Sequence, residues 1–440
     1  MLLNTYINQI SGQMQGFFIE NSIELEGNFT AFLKCKEAPE VPMCSCGCKM
    51  HIHDSYTKTI FDVPLLPGKK NKLKVPVTRY RCPHCGKKES SELNINHPGT
   101  RITKRFAIWV KFHLALNHSI SSICKEYALH WTTVRKIHQE EINRELINRE
   151  IEWKKTNYRP RYLAVDEFAI LKGHRYATTV MDIETGEVLW VGVGRSISDF
   201  KKFFEEFNLD ILSDVKAVAM DMNAAFNRVV TEYLPNAKIV YDRFHMQAQF
   251  SRDVLGKVRL RKARELRDEA KEMEKLACES KNIDEKRKLR KDAKCIKKKY
   301  KTVKRARWKI IKNSDNLSAS EKATLNDILA KHEEIAVCYA MKEELCRVFY
   351  ERNPELAKLR WCYWFKACKE SKIPELARFA ELKESRLEGL VAHAIYPINT
   401  GKLEGFNNKI KVCMRVAYGY RNLDYFFSLI RYISLPGIKN

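Results

Sequence analysis

The sequence predicts a multidomain α/β protein in which a central α/β domain is interrupted by a long all-helical insertion. Three features carry that expectation. From Arg161 to about Phe244, apolar strand-like runs alternate with amphipathic ones, the pattern of strands and helices in one mixed domain. Between Gly256 and Gly389 there is no glycine, and proline occurs only at Pro354 and Pro374, so little in that stretch would break a helix. Residues 41–97, by contrast, concentrate proline, glycine and cysteine. The 440 residues accommodate several domains of ordinary size. These shifts divide them into an N-terminal segment (1–40), a cysteine-rich module (41–97), a helical module (98–150), the α/β core (158–250), the helical insertion (251–395) and a final segment (396–440).

Within the core, the apolar run Tyr162-Leu163-Ala164-Val165 ends at Asp166-Glu167. A hairpin follows, with strands over 176–183 and 188–193 around a Glu184-Thr185-Gly186-Glu187 turn. Ser198 is placed to cap a helix running through Phe207. Residues 215–220 read as a buried strand ending at Asp221, 223–234 as a helix stopped by Pro235, and 238–241 as a strand ending at Asp242. One strand, two antiparallel ones, then alternating helix and strand is the order of an RNase H-like fold. Ligands collect at strand ends in α/β sheets, so Asp166 and Asp221 are placed to converge on a cation. Oxygen-only ligation completed by phosphate suits Mg²⁺. A two-ion site that handles both attacking and leaving oxygens needs a third carboxylate.

Five of the fourteen cysteines cluster, at Cys44, Cys46, Cys48, Cys82 and Cys85. Cys82-Pro83-His84-Cys85-Gly86 is a C-x-x-C knuckle, and Cys44-Ser45-Cys46-Gly47-Cys48 supplies the other half. Between them, strands over 56–66 and 72–81 are joined by Leu66-Pro67-Gly68-Lys69. Two knuckles on a β-ribbon make a structural Zn²⁺ site, with Cys44, Cys46, Cys82 and Cys85 as ligands and Cys48 or His51 as substitutes; unliganded thiols are the alternative. The other nine cysteines are scattered singly, and the first basic residue is Lys34, which points to a reducing cytosol and not to secretion. No apolar run approaches the ~18 residues of a membrane span.

Residues 119–127, a turn at Ala128-Leu129-His130, and residues 131–139 read as a helix-turn-helix, with Ile120, Ile123, Leu129, Val134 and Ile137 on the apolar face. The second helix of that motif enters the major groove by its N-terminal residues. Trp131, Thr132, Thr133, Arg135 and Lys136 are therefore candidate DNA contacts, the plain helical hairpin being the other reading.

The last segment carries the most specific pattern. Thr400-Gly401-Lys402-Leu403-Glu404-Gly405-Phe406-Asn407-Asn408-Lys409-Ile410-Lys411, followed by Arg415-Val416-Ala417-Tyr418-Gly419-Tyr420-Arg421-Asn422, resembles the last catalytic helix of bacterial insertion-sequence transposases of the ISL-three family. The order of cysteine knuckles, helix-turn-helix, Asp166-Glu167 strand and Met220-Asp221-Met222 strand is similar to that family's, so the resemblance covers essentially the whole chain. It implies a DDE transposase with the triad Asp166, Asp221 and Glu404 holding Mg²⁺ or Mn²⁺. In such enzymes water attacks the phosphodiester at the transposon end, and the freed 3′-hydroxyl then attacks target DNA in line. The implied partners are double-stranded DNA, both terminal inverted repeats and target, within a homodimer or larger synaptic complex at the bacterial nucleoid in the cytoplasm.

Two departures stand out. The first knuckle reads Cys-Ser-Cys-Gly where the family has Cys-x-x-Cys-Gly, and Glu167 adjoins Asp166, whose strand-end position favours it. Asp242-Arg243-Phe244-His245 resembles a [Cys/Asp]-x-x-His signature of related transposases with helical insertions. That makes His245 a DNA-phosphate or scissile-site contact, or else a histidine packed between strand and helix. Lys409, Lys411 and Arg415, downstream of Glu404, are candidates to line a DNA groove. On the residues alone, an RNase H-like metal-dependent nuclease or resolvase, and a non-catalytic helix-turn-helix regulator, are the rival readings.

Charge favours a polyanionic partner in each case. The chain carries 79 Lys+Arg against 54 Asp+Glu, a formal +25. Residues 251–310 hold 24 basic and 10 acidic side chains, a net +14, which suits phosphate binding along DNA or a plain charged coiled coil. Trp361, Tyr363, Trp364 and Phe365 form an aromatic group suited to stacking on a displaced base or, at helical spacing, to a core.

Overall fold

The computed structural model describes residues 16–38, 40–66, 68–116, 118–171, 175–312 and 316–438. They fall into two compact units. One combines the described part of Met1–Thr156 with Lys411–Ile433, and the other spans Asn157–Ile410 with Ser434–Pro436.

The first unit opens with β1 (Phe17–Leu25), β2 (Asn28–Cys35), β3 (His51–Asp62), β4 (Asn71–Arg81) and β5 (Lys88–Ser90). They form one sheet ordered β1-β2-β4-β3, with β5 beside β4. The β3–β4 pair is the ribbon expected between the cysteine knuckles. It is antiparallel from His51↔Arg81 to Asp62↔Asn71, so its first strand lies several residues earlier than the expected 56–66. Pro67 of the expected turn lies outside the described residues. The β1–β2 hairpin has no counterpart in the sequence expectation for 1–40; β2 joins β4 in parallel, and Phe29, Ala31, Leu33, Ile60, Leu73 and Val75 pack one face into a core.

Next come α1 (Lys104–Ala115), α2 (Ile120–Tyr127) and α3 (Trp131–Thr156). The Ser119 hydroxyl accepts the Ser122 N–H to start α2, and Ala128 ends it in the left-handed region at φ 49°. Ile123, Val134 and Ile137 bury with Phe106 and Val110, as the helix-turn-helix pattern requires. The sequence expectation ends the second helix near Gln139, but α3 runs to Thr156 because no glycine or proline interrupts it.

The second unit is built on β6 (Tyr162–Leu171), β7 (Arg175–Asp182), β8 (Val188–Val193), α4 (Ile197–Glu206), β9 (Ala217–Met220), α5 (Ala224–Tyr233) and β10 (Lys238–Tyr241). The sheet is ordered β10-β9-β6-β7-β8. β6, β7 and β8 are antiparallel, whereas β9 runs parallel to both β6 and β10. Two bounds differ from expectation. β6 continues beyond Asp166-Glu167 to Leu171, because its ladder with β7 continues after its ladder with β9 stops. The cap of α4 is Ser196, not Ser198, in a reciprocal capping box with Asp199. Phe200, Phe203 and Phe204 of α4 are buried, and Phe200 and Phe204 meet Phe226 and Tyr233 of α5.

The helical stretch follows as α6 (Arg243–Phe250), a π turn at Ser251–Leu255, α7 (Gly256–Glu279), α8 (Ile283–Arg305), α9 (Arg307–Ile311), α10 (Ala319–Lys331), α11 (Glu333–Val348), α12 (Pro354–Glu370), α13 (Pro374–Glu384) and α14 (Leu387–Ile395). α7 and α8 pack antiparallel, since Glu274 pairs with Lys297 while Arg259 donates to the Lys304 carbonyl. Trp361, Trp364 and Phe365 are at most 2% exposed and pack on Phe349, Phe250 and one another. Of the aromatic group, these three are core, and Tyr363 faces outward. Gly389 lets α14 lie against Tyr241, whose ring a Cβ would meet at 2.4 Å.

His393 of α14 is buried, and desolvation, with Arg352 and Arg243 nearby, lowers its pKa from 6.5 to about 4. Folded, it stays neutral where the unfolded chain would take up a proton. Stability is therefore lost as pH falls from about 6.5 toward 4, by up to about 3 kcal/mol from this residue. Denaturant melts of His393→Phe should show a flatter pH dependence across that window than the parent.

The chain closes with α15 (Gly401–Val416) and α16 (Leu423–Ser434). The Tyr425 hydroxyl lies 2.7 Å from His138 Nδ1, and Arg431 pairs with Glu150, so α16 packs on α3. No helix among the described residues is long and apolar enough to cross a membrane.

Candidate active site

The register of the second sheet lines up three aspartates. β9 pairs with β6 as far as Val165↔Met220 and with β10 as far as Tyr241↔Met220. The next residue on each strand is Asp166, Asp221 or Asp242, so the three stand abreast at the carboxyl end of β9 and β10.

Asp242 is fully engaged. It is 1% exposed, its Oδ1 accepts the N–H groups of Phe244 and His245 to cap α6, and its Oδ2 accepts both the backbone N–H and the hydroxyl of Thr400 at 2.8 Å. That latch fixes the entry to α15. One turn on, the Glu404 N–H bonds the Thr400 carbonyl, and Glu404 and Asn407, three apart, share a face of the helix.

Asn407 donates to Asp166 Oδ2 at 2.8 Å, while Asp166 Oδ1 accepts the Glu167 N–H. His245 stands between the other two carboxylates, with Nε2 3.2 Å from Glu404 Oε1 and Nδ1 3.7 Å from Asp221 Oδ2. Asp221 also accepts the Met222 N–H and the Gln249 amide, whose oxygen in turn accepts from Lys383. Gln249 sits just before the π turn, a kind of irregularity that often re-aims side chains at functional sites.

Asp166, Asp221 and Glu404 thus face one end of the sheet around His245 and Asn407. Unlike the four cysteine sulfurs of the first unit, their oxygens do not form a set all within 4.8 Å of one another. Burial pushes the Asp166 carboxyl up to about 6, with the negative charges of Glu404 and Glu167 adding to it and His245 opposing it. Crowded, partly desolvated carboxylates of this kind suit a hard divalent cation, whose charge would relieve the repulsion. Glu167, next along β6, projects to the other side of the strand and pairs with Arg195 at 2.7 Å. Sequence reasoning missed Thr400 and Asn407. Asn407 carries a usable signal in its i,i+3 spacing from Glu404.

In the first unit, Cys44, Cys46, Cys82 and Cys85 bring their sulfurs within 4.8 Å of one another, with Cys44–Cys85 and Cys46–Cys82 both at 3.5 Å. A tetrahedral zinc with Zn–S near 2.3 Å needs sulfur–sulfur edges of about 3.8 Å, so the cluster can hold zinc. Gly47 and Gly86 turn the knuckles at φ of 84° and 73°, conformations that favour glycine. The Cys85 and His84 backbone N–H groups lower the Cys82 thiol to about 6. Cys48 falls instead into a second group with Cys46 and His84, and His51 belongs to neither.

The candidate DNA contacts of α3 are mixed. Trp131 is 46% exposed, and the Thr132 hydroxyl lies 2.7 Å from His130 Nδ1. Thr133 is half-buried. Arg135 lies over the rings of Trp131 and Tyr425, and Lys136 is exposed, with Nζ 3.3 Å from the Pro98 carbonyl. Lys409 is half-buried over Phe406, and Lys411 and Arg415 are exposed.

Comparison with known proteins places the chain in a family. A family model described as "Transposase", for DDE transposases of the ISL-three type, matches residues 163–430, from β6 into α16. The chain is 31% identical over 439 residues, 99% of both chains, to the transposase for insertion sequence element IS1001 of Bordetella parapertussis. It is 27% identical over 266 residues to the transposase for insertion sequence element IS1557 of Mycobacterium tuberculosis, strains CDC 1551 and H37Rv, covering 60% of this chain and 57% of theirs. With both the family model and an end-to-end relative in agreement, the chain belongs to the ISL-three family of insertion-sequence transposases.

Proposed function

We propose that this transposase binds the terminal inverted repeats of its element and cuts and joins DNA at Asp166, Asp221 and Glu404. The observation that carries this is the shared register of Asp166 and Asp221, with α15 latched by Asp242 so that Glu404 reaches the same sheet end. The strand order β10-β9-β6-β7-β8 supports an RNase H-like core, divided between Asp221 and Glu404 by the helical insertion. Mg²⁺ or Mn²⁺ held by the three carboxylates would supply Lewis-acid activation of the attacking oxygen and stabilisation of the leaving one.

The side chains around the site have distinct tasks in this reading. Asn407 orients Asp166, Gln249 and Lys383 orient Asp221, and His245 holds Glu404 near Asp221. Trp131, Thr132, Thr133 and Lys136 at the start of α3 are the base-reading candidates, while Arg135 braces them by stacking on Trp131. Lys409, Lys411 and Arg415 remain candidates for DNA contact along α15. Two ends must be cut together, so the working form is a dimer or larger synaptic complex.

A supercoiled donor plasmid carrying the element's two ends tests the reading. Mg²⁺-dependent 3′-hydroxyl ends followed by covalent joining to a second plasmid are expected. Nicks that never join would leave a nuclease, and end binding without nicks a regulator.

α8 supplies the backbone contact. Arg287, Lys291, Lys294, Lys298, Lys301 and Arg305 recur at i+3 and i+4 and are all exposed, opposite the buried Ala293, Ile296 and Val303. Each phosphate contact removed lowers the dependence of log K on log salt by about 0.9. The quadruple change of Lys291, Lys294, Lys298 and Lys301 to Gln should therefore reduce the slope for end binding by up to about 3.6, without altering the preference for end over unrelated DNA. A slope equal to the parent's would exclude this face.

A further inference from the structure

The helical module contains a further cluster of metal-ligating side chains, made of residues other than the four cysteines and the three carboxylates. His113 in the last turn of α1, His118 just before the Ser119 cap, and Glu126 in the last turn of α2 bring ligand atoms within 4.8 Å of one another. The two imidazoles face each other through Nδ1, at 3.3 Å. A tetrahedral ion with metal–nitrogen bonds of 2.0–2.1 Å needs a nitrogen–nitrogen edge of about 3.3–3.4 Å.

The outer nitrogen of His113 has a partner of its own. Trp109 Nε1–H, which can only donate, reaches the Tyr127 hydroxyl oxygen at 3.1 Å, and His113 Nε2 lies 2.8 Å from the same oxygen. In the tautomer that donates from Nε2–H to the Tyr127 oxygen, His113 Nδ1 presents its lone pair toward His118. A ligating histidine whose far N–H is held by an outer hydrogen bond is the usual arrangement at metal centres. Trp109, Phe112 and Tyr127 pack around the His113 ring and hold its plane.

We propose that His113, His118 and Glu126 form a binding site for a first-row transition ion of the zinc type, completed by water. Two imidazoles and one carboxylate select Zn²⁺, Co²⁺ or Ni²⁺ over Mg²⁺. The ligands bracket α2 at both ends and tie it to α1, so the ion clips the first helix of the helix-turn-helix in place.

The test uses full-length protein equilibrated by dialysis against micromolar free Zn²⁺ in millimolar Mg²⁺, which keeps the carboxylate site occupied, followed by elemental analysis. Two zinc per chain are expected for the parent, and one for His118→Asn and for Glu126→Gln. Cys82→Ser should instead lose the other ion, which separates this site from the cysteine cluster. A zinc-dependent rise in Tm beyond that of His118→Asn is the second readout; both variants alter half-buried or exposed side chains and should fold. Equal zinc content and equal Tm response in parent and variants would overturn the site and leave an imidazole–imidazole hydrogen bond.

Discussion

Asp166→Asn, Asp221→Asn and Glu404→Gln are each expected to lower cleavage and strand transfer by about a thousandfold or more, with end binding unchanged. The substitutions keep shape and remove charge. In Asp166→Asn the single amide oxygen can accept from Asn407 or from the Glu167 N–H, which now bond Oδ2 and Oδ1, so one hydrogen bond is given up while the shape of the side chain is kept. Because burial and the nearby Glu404 and Glu167 charges already push Asp166 up to about 6, deleting its charge should leave the metal-free protein equally or more stable. A raised or unchanged Tm with activity lost is the signature of a catalytic carboxylate.

Asp242→Asn provides the contrast. Asp242 is buried, caps α6 and latches Thr400, so its loss should cost about 1–3 kcal/mol of stability and reduce activity through a misplaced Glu404. Asn407→Ala should give a graded loss of about 10–100-fold, as for partners that orient a ligand. Full cleavage by any one of the three charge-removed variants would sink the triad.

An apolar run that reaches Asp is a local pattern, so Asp166 and Asp221 could be singled out as candidates from the residues alone, whereas Glu404 came from the resemblance carried by residues 400–422. What the sequence could not convey is how the three meet. That depends on the Asp242–Thr400 latch, which joins residues 158 apart in the chain and leaves no periodic trace. The same limit explains the aromatic group at Trp361–Phe365, where helical spacing fits core and exposed stripe equally and long-range packing on Phe349 and Phe250 decides. The β1–β2 hairpin is local, turning at Glu26-Gly27, and went unread; the pairing of β2 with β4, some 40 residues on, leaves no local trace. In α8, by contrast, cationic and apolar stripes both recur with the helical period, so its solvent face could be read directly from spacing.

Removing zinc from the cysteine cluster is expected to unfold one end of the first sheet while the other end stays intact. The buried residues of the cluster at the knuckles are Cys44, Met50, Tyr80 and Cys82, so half of them are candidate zinc ligands. Without the ion, Met50 and Tyr80 have too little apolar surface to hold two glycine-containing turns, and metal binding is then folding free energy. The opposite end has its own core in Phe29, Ala31, Leu33, Ile60, Leu73 and Val75 and needs no metal. A strong chelator, or Cys82→Ser, should therefore accelerate amide exchange over residues 44–54 and 79–90 and leave Leu73 and Val75 protected. End binding should fall at least about tenfold if the ribbon reads DNA. Zinc binds the thiolates, so it should be lost as acid reprotonates the ligands. Cys48→Ser distinguishes the two possible knuckles. Retained zinc in that variant, with loss in Cys46→Ser, assigns the fourth ligand to Cys46, and the reverse result would move the site to Cys48.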